Sequence, residues 1–369
     1  MGDKIIVFAI PGFLLLLFLE IIYCQYKKLP YYRFNDSMGN LTNGLGQLAA
    51  GIVTQLFFLW CYAQALSLVP WRMPGPVWLV WMIAFVLQDF CYYWFHRASH
   101  RVNWMVGSHV VHHQSEEYNL SVALRQSWLT RVYGWVFYVP MALLGVPIEI
   151  YISTAAINLL FQFWVHTRLI YKLGFLEKIL ITPSHHRVHH GKNQPYIDKN
   201  YAGVFIIWDR MFGTFQEELE HNPVQYGTIT PVHSWNPFWA NIRYYVDLWK
   251  ISRATKSWKD KLWLWWSTPE WRPSDAPNLP KPQGRYDLQR SSGINILMVI
   301  QYTVCLLLFL YVTATAESLG LAISSLWAVM VLWGLSNIGG ILDQRGWTSF
   351  SQIAWMVGLI TSAGLTFSP

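Results

Sequence analysis

The sequence predicts an all-α integral membrane protein, a multi-pass helical bundle with a polar cap on one face, and three observations predict it. Of its 369 residues 53% are hydrophobic and only 13% charged, with a mean hydropathy of +0.24, whereas soluble domains carry about a quarter charged residues. Apolar runs of bilayer length recur along the chain between short breaker strings. Tryptophan (22) and tyrosine (20) are abundant, and their amphipathic rings settle at the headgroup level.

Residues 5–23 are long enough to span, and Tyr26, Lys27 and Lys28 follow them in place of a small-residue cleavage site, so a retained helix is expected rather than a signal peptide. The next apolar runs cover 46–69 and 77–95, joined by the string from Pro70 to Pro76, short enough to link antiparallel helices. Residues 132–145 and 148–165 read as a helical hairpin that dips into or crosses the membrane, broken by Gly145 and Pro147. The stretch 167–292 is polar, basic and rich in Pro and Trp; within it 256–271 alternates lysines with aromatics and reads either as a segment lying in the interface plane or as an aromatic-packed subdomain. Apolar runs at 294–314, 319–340 and 350–367 close the chain. The expected division is 1–88 for N-terminal membrane helices, 89–292 for a central catalytic region and 293–369 for C-terminal membrane helices.

The formal charge of +7 does not point to nucleic acid. Seventeen of the 27 Lys and Arg lie between 167 and 292, against 11 acids there, and a cytoplasmic face explains that excess. Glu317 then falls outside and Arg345 inside. Cys24, Cys61, Cys91 and Cys305 show no pairing pattern and read as small buried apolar residues.

Histidines carry the chemistry. His96 and His100, then His109, His112 and His113, then His186, His189 and His190, stand at one-turn helical spacings beside apolar segments. A lone His-x3-His is often only a hydrogen-bonded pair, but eight imidazoles in three clusters next to a bilayer can surround two metal ions. A hydrolytic zinc site needs about three protein ligands, and a haem pair needs two axial histidines per haem. Two redox ions in a nitrogen-only cage suit O2 activation next to lipid. Asp89, two turns before His96, is the first candidate partner for a ligand imidazole; Glu116, Glu117 and Asp198 follow. Tyr118, Asn119, Asn200 and Tyr201 are candidate pocket residues from their position beside the clusters. A metal transporter is the rival from another class, although its ligands should be spread across midplane helices.

Four strings, DFCYYWFHRASH (89–100), HVVHHQSEEYNLSVALRQS (109–127), QFWVHT (162–167) and PSHHRVHHGKNQPYIDKNYAGVFIIWDRMFGTF (183–215), together resemble the fatty acid hydroxylase and sterol desaturase superfamily of membrane diiron oxygenases, and within it the ether-lipid-cleaving branch. The resemblance implies a cytoplasmic histidine-rich diiron cap, with the eight cluster histidines as iron ligands and His166 and His185 as additional ones. It implies O2 as co-substrate and hydroxylation of a lipid C–H bond, with the ether-adjacent carbon of an alkylglycerol favoured over a sterol or fatty-acyl target. One residue departs: Arg101 stands where that branch has a glutamate linked to tetrahydropterin use, which leaves the reductant open between a pterin and a donor protein. The membrane is the bacterial inner membrane or the endoplasmic reticulum.

Overall fold

The computed structural model describes residues 2–282 and 284–367; among these there is no β-strand, only an isolated bridge between Leu180 and Phe205. α1 (Gly2–Tyr26), α2 (Phe34–Ser67) and α3 (Val77–Arg101) open the chain, and α4 (Asn103–His109) continues from α3 after a bend at Val102. α5 (Ile148–Phe163) is the long arm of the hairpin, and the expected first arm is a string of short turns, Thr130–Gly134, Trp135–Tyr138 and Val139–Leu143. The polar region holds α6 (Pro183–His189), α7 (Pro237–Ala254) and α8 (Trp258–Trp266). α9 (Ser292–Leu342) and α10 (Thr348–Phe367) end it.

Five of these helices, in α1, α2, α3, α9 and α10, are long and apolar enough to cross a membrane. α9 is two legs. Gly320 breaks it with φ 72 and ψ 169, a left-handed conformation that side chains resist, so the two expected runs meet there. Phe18, Leu19 and Ile22 on α1 and Ile296, Leu297 and Ile300 on α9 are exposed, as lipid-facing surfaces require.

α2 begins twelve residues before its apolar run. Its first three turns bury Asn35, Asp36, Asn40 and Asn43, each hydrogen-bonded: Asn40 to Ser121, Asp36 to Ser115, Asn35 to Asp287 and Leu288. Satisfied polar groups can be buried at little cost, which is why hydropathy alone missed this part. α2 packs on α9 and α10 through Leu45, Ala49, Leu335 and Trp355, and on the hairpin and α3 through Tyr62, Ala84, Met141 and Tyr151.

α1 is tied to the cap by Glu20, which accepts from the Leu120 amide at 2.8 Å and from the hydroxyls of Tyr32 and Thr167. The far end of α9 returns to the same side, where Asp343 accepts from the Trp235 amide at 2.7 Å and from the Ser234 hydroxyl. α8 leaves Trp258, Leu262, Trp263 and Trp266 exposed while Leu264 packs inward on Leu248 and Ile251. α8 thus has an outer aromatic face and a packed inner one.

Candidate metal centre

The last turns of α3 carry His96 and His100 inward, α4 ends at His109, and a 3-10 turn follows at His112–Gln114. α6 supplies His186 and His189 with His190 as its C-cap, and His166 stands just beyond α5. These residues converge, but not by sequence cluster. His96, His100, His109, His113 and His189 form one group, and His112, His166, His186 and His190 a second; within each, ligand atoms all lie within 4.8 Å of one another. His109 and His113 share a face, as do His186 and His190, while His112 and His189 point across to the other group, as residues three apart on a short helical turn can. The groups adjoin: the His113 and His190 rings stack at 4.3 Å.

The nitrogens are spaced as co-ligands are. His109 Nε2 lies 2.9 Å from His96 Nε2 and 3.2 Å from His113 Nε2. In the second group His112 Nε2 is 3.2 Å from His166 Nε2 and 3.1 Å from His190 Nε2, and His166 and His186 are 3.0 Å apart. Two nitrogens about 2.1 Å from one ion at a right angle are separated by roughly 3.0 Å. Nε2 of His100 and of His189 is buried with no protein partner, a cost a bound cation would remove. The residues present fit two metal ions.

Backbone carbonyls orient the rings. His96 Nδ1 donates to Tyr201 at 2.6 Å, His112 to Arg125 at 2.8 Å, His166 to Gln162 at 2.8 Å and His189 to Lys199 at 2.9 Å. Each such bond fixes the tautomer and leaves Nε2 as the free lone pair. The carboxylate on the cage is Asp198, 3.7 Å from His100 Nδ1, and it also accepts from Arg101.

Several expectations need correction. Asp89 touches no imidazole: it accepts from the Val204 and Phe205 amides, the Trp208 indole and the Asn158 amide at 2.8–2.9 Å, and so clamps the segment whose Tyr201 carbonyl aims His96. His185 belongs to neither group; its ring packs on Phe215 and its carbonyl accepts from Asn200. It faces away because its neighbour His186 faces in. Glu116 and Glu117 bind Arg33. Asn119 caps the turn at Leu120–Ala123 and donates to the Tyr31 carbonyl, and Asn200 bridges His185 and Gln216, so both hold backbone rather than line a pocket. Tyr118 stacks on His166 and donates to the Val165 carbonyl, and the Tyr201 ring stands 5.2 Å from that of His100.

Burial first, and then repulsion between neighbouring imidazolium charges, holds His109, His113, His186 and His190 well below the ordinary histidine range. Burial pushes His112 down to about 4. These five imidazoles are therefore held toward the neutral form, the one that binds metal. At Asp198 burial works upward, but the neighbouring His100 imidazole and the Arg101 guanidinium outweigh it and hold the carboxyl at about 2.

A cavity of about 250 Å³ lies against the cage, and His109, His112 and His166 form part of its wall. Its other walls are largely apolar, from Phe13 and Leu14 of α1, Leu41, Leu45 and Leu48 of α2, Phe163 of α5 and Leu306 of α9. None of the four expected pocket residues lines it. Sequence reasoning also missed Arg125, buried beneath the cage and donating to the Val111 carbonyl, Asn40 and Gln114; its place two residues before Ser127 in the second histidine string was the only signal.

The sequence model of the fatty acid hydroxylase family matches residues 81–214. Human alkylglycerol monooxygenase is 37% identical over 358 residues, 91% of this chain and 77% of the human protein. The zebrafish (Danio rerio) enzyme of the same name is 38% identical over 356 residues, with the same coverage. Ornithine lipid hydroxylase OlsE of Rhizobium tropici is 29% identical over 196 residues, 52% of this chain and 58% of that protein. No solved structure matches. The chain belongs to the fatty acid hydroxylase family, in the branch of the alkylglycerol monooxygenases.

Proposed function

We propose that this protein is an integral-membrane diiron monooxygenase that hydroxylates the ether-adjacent carbon of an alkylglycerol, with its cage on the cytoplasmic face. The observation that carries the reading is the junction of two histidine groups with an apolar cavity, joined to alkylglycerol monooxygenase relatives that cover about nine-tenths of the chain. Two iron ions, held by His96, His100, His109, His113 and His189 and by His112, His166, His186 and His190, would supply O2 activation.

The residues of the chain do the rest. The carbonyls of Tyr201, Arg125, Gln162 and Lys199 hold the imidazoles in place before any ion arrives. Apolar walls exclude water and receive the alkyl chain. Insertion of one oxygen atom consumes two electrons and two protons and releases water; the hemiacetal product breaks to an aldehyde and a glycerol. Electrons come from tetrahydropterin or a donor protein. Arg101 is engaged by Asp198 and Glu270, so the acid of the pterin-linked pattern is absent.

The cytoplasmic assignment is supported by the basic excess of the polar stretch. Purified iron-loaded protein given an alkylglycerol and a reductant should consume O2 and release fatty aldehyde. Oxidation of a sterol or an acyl lipid with no aldehyde from the ether would overturn the substrate, and zinc flux without O2 uptake would overturn the enzyme.

A further inference from the structure

The cavity beside the cage holds more hydrogen-bonding capacity than the fold uses. Ser108, Ser127 and Gln162 in its wall are bonded to Tyr133, Asn241 and Tyr92. Gln47, Thr130 and the Tyr302 hydroxyl, also in the wall, have no hydrogen-bond partner among the described residues. Gln126 uses only its N–H, on the Ala123 carbonyl.

These four groups line one cavity. α2 and the segment leading into α9 are pinned where Asn35 donates to Asp287 and Leu288; Gln47 lies about 18 Å along α2 from Asn35, and Tyr302 about 15 Å along α9 from its first residue, Ser292. The segment carrying Gln126 and Thr130 presses on α2 at that level, because a Cβ on Gly46 would come within 2.4 Å of Trp128 and one on Gly51 within 2.1 Å of Arg131. In a bilayer an amide or hydroxyl without a partner is costly. The wall from α1 and α5, with Ile10, Phe13, Leu14 and Leu159, is apolar.

We propose that Gln47, Gln126, Thr130 and Tyr302 form a headgroup subsite that takes the two hydroxyls of a glycerol ether, with the alkyl chain along the α1 and α5 wall. This rests on the ether-lipid reading above. It makes these residues specificity determinants: a lipid without the hydroxyls leaves them unpaired, which a buried site rejects strongly.

The test is equilibrium binding, without O2, of labelled 1-O-hexadecylglycerol and of hexadecyl methyl ether to iron-loaded protein in nanodiscs. Wild type should prefer the glycerol ether by at least about tenfold; Gln47→Leu, Thr130→Val and Tyr302→Phe should each reduce that preference by about two- to tenfold. Binding of the hydroxyl-free ether and the iron content should stay unchanged. Equal binding of both lipids by wild type, or a preference that survives all three single changes, overturns the subsite and leaves its polar groups to water. Since nothing turns over in this assay, a protein that discriminates between the lipids yet forms no aldehyde supports the subsite and refutes the reaction.

Discussion

Asp198 Oδ1 lies 3.7 Å from His100 Nδ1, on the side of the ring opposite the unpartnered Nε2 that faces the cage. The same carboxylate is held by Arg101, which in turn reaches Glu270 at 2.9 Å. Arg101 thus braces the carboxylate that stands beside the His100 ring.

Asp198→Asn removes that charge while keeping the shape. Metal affinity should fall about 10- to 100-fold, the usual effect of losing such a partner, with iron per chain measured after dialysis against graded chelator. Arg101→Gln should give a smaller loss in the same direction. Full iron retention in Asp198→Asn would show that His100 needs no carboxylate.

The two histidine groups separate candidates that adjoin in sequence. His166→Ala and His112→Ala should each leave less than two irons per chain, whereas His185→Ala should retain both, since His185 lies outside both groups. Metal analysis on purified protein decides it. An iron loss in His185→Ala equal to that in His186→Ala would overturn the grouping.

Asp89 accepts four hydrogen bonds in a fully buried position. Asp89→Ala strands those donors and should cost about 3 kcal/mol or more, lowering the melting temperature in detergent and displacing the Tyr201 carbonyl from His96. A melt within about a degree of wild type would contradict the clamp.

Gly44 faces the Leu124 carbonyl so closely that a Cβ would stand 2.2 Å from it. Because that contact is backbone, Gly44→Ala must push α2 from the end of the turn Leu120–Ala123, at about 1–3 kcal/mol. Thermal unfolding reads it directly. Gly12→Ala, which meets nothing within 4 Å, is the control and should leave the melt unchanged.

His112 takes up its proton near pH 4 when folded and near 6.5 when unfolded. Between those values the unfolded chain binds more protons, so this contribution to stability is complete above about pH 6.5 and is lost as pH falls toward 4. The other depressed imidazoles act in the same sense. Metal-free protein should therefore melt at lower temperature at about pH 5 than at about pH 7.5, followed by tryptophan fluorescence. A midpoint constant across that window would mean that the cage is open to solvent.

The helices were legible wherever an apolar run had bilayer length, as at 77–95 and 350–367, because lipid contact demands uninterrupted apolar surface. The start of α2 was not, since Asn35, Asp36, Asn40 and Asn43 are buried only by virtue of partners on distant segments. The cavity wall was equally hidden: it is assembled from α1, α2, α5 and α9, and no local pattern marks residues that meet across such distances.

By itself the sequence determined that this chain carries apolar helices of bilayer length and clustered imidazoles, since both follow from residue type and local spacing. Only the tertiary structure decided how those imidazoles divide. His112 and His113 are neighbours in the chain but sit in different groups, and His189 and His190 likewise. Adjacent side chains leave a helical turn in directions about 100° apart, so which pocket each enters depends on the packing of α3, α4, α5 and α6 around it. The same packing gave Asp198 the place beside an imidazole and gave Asp89 the backbone instead.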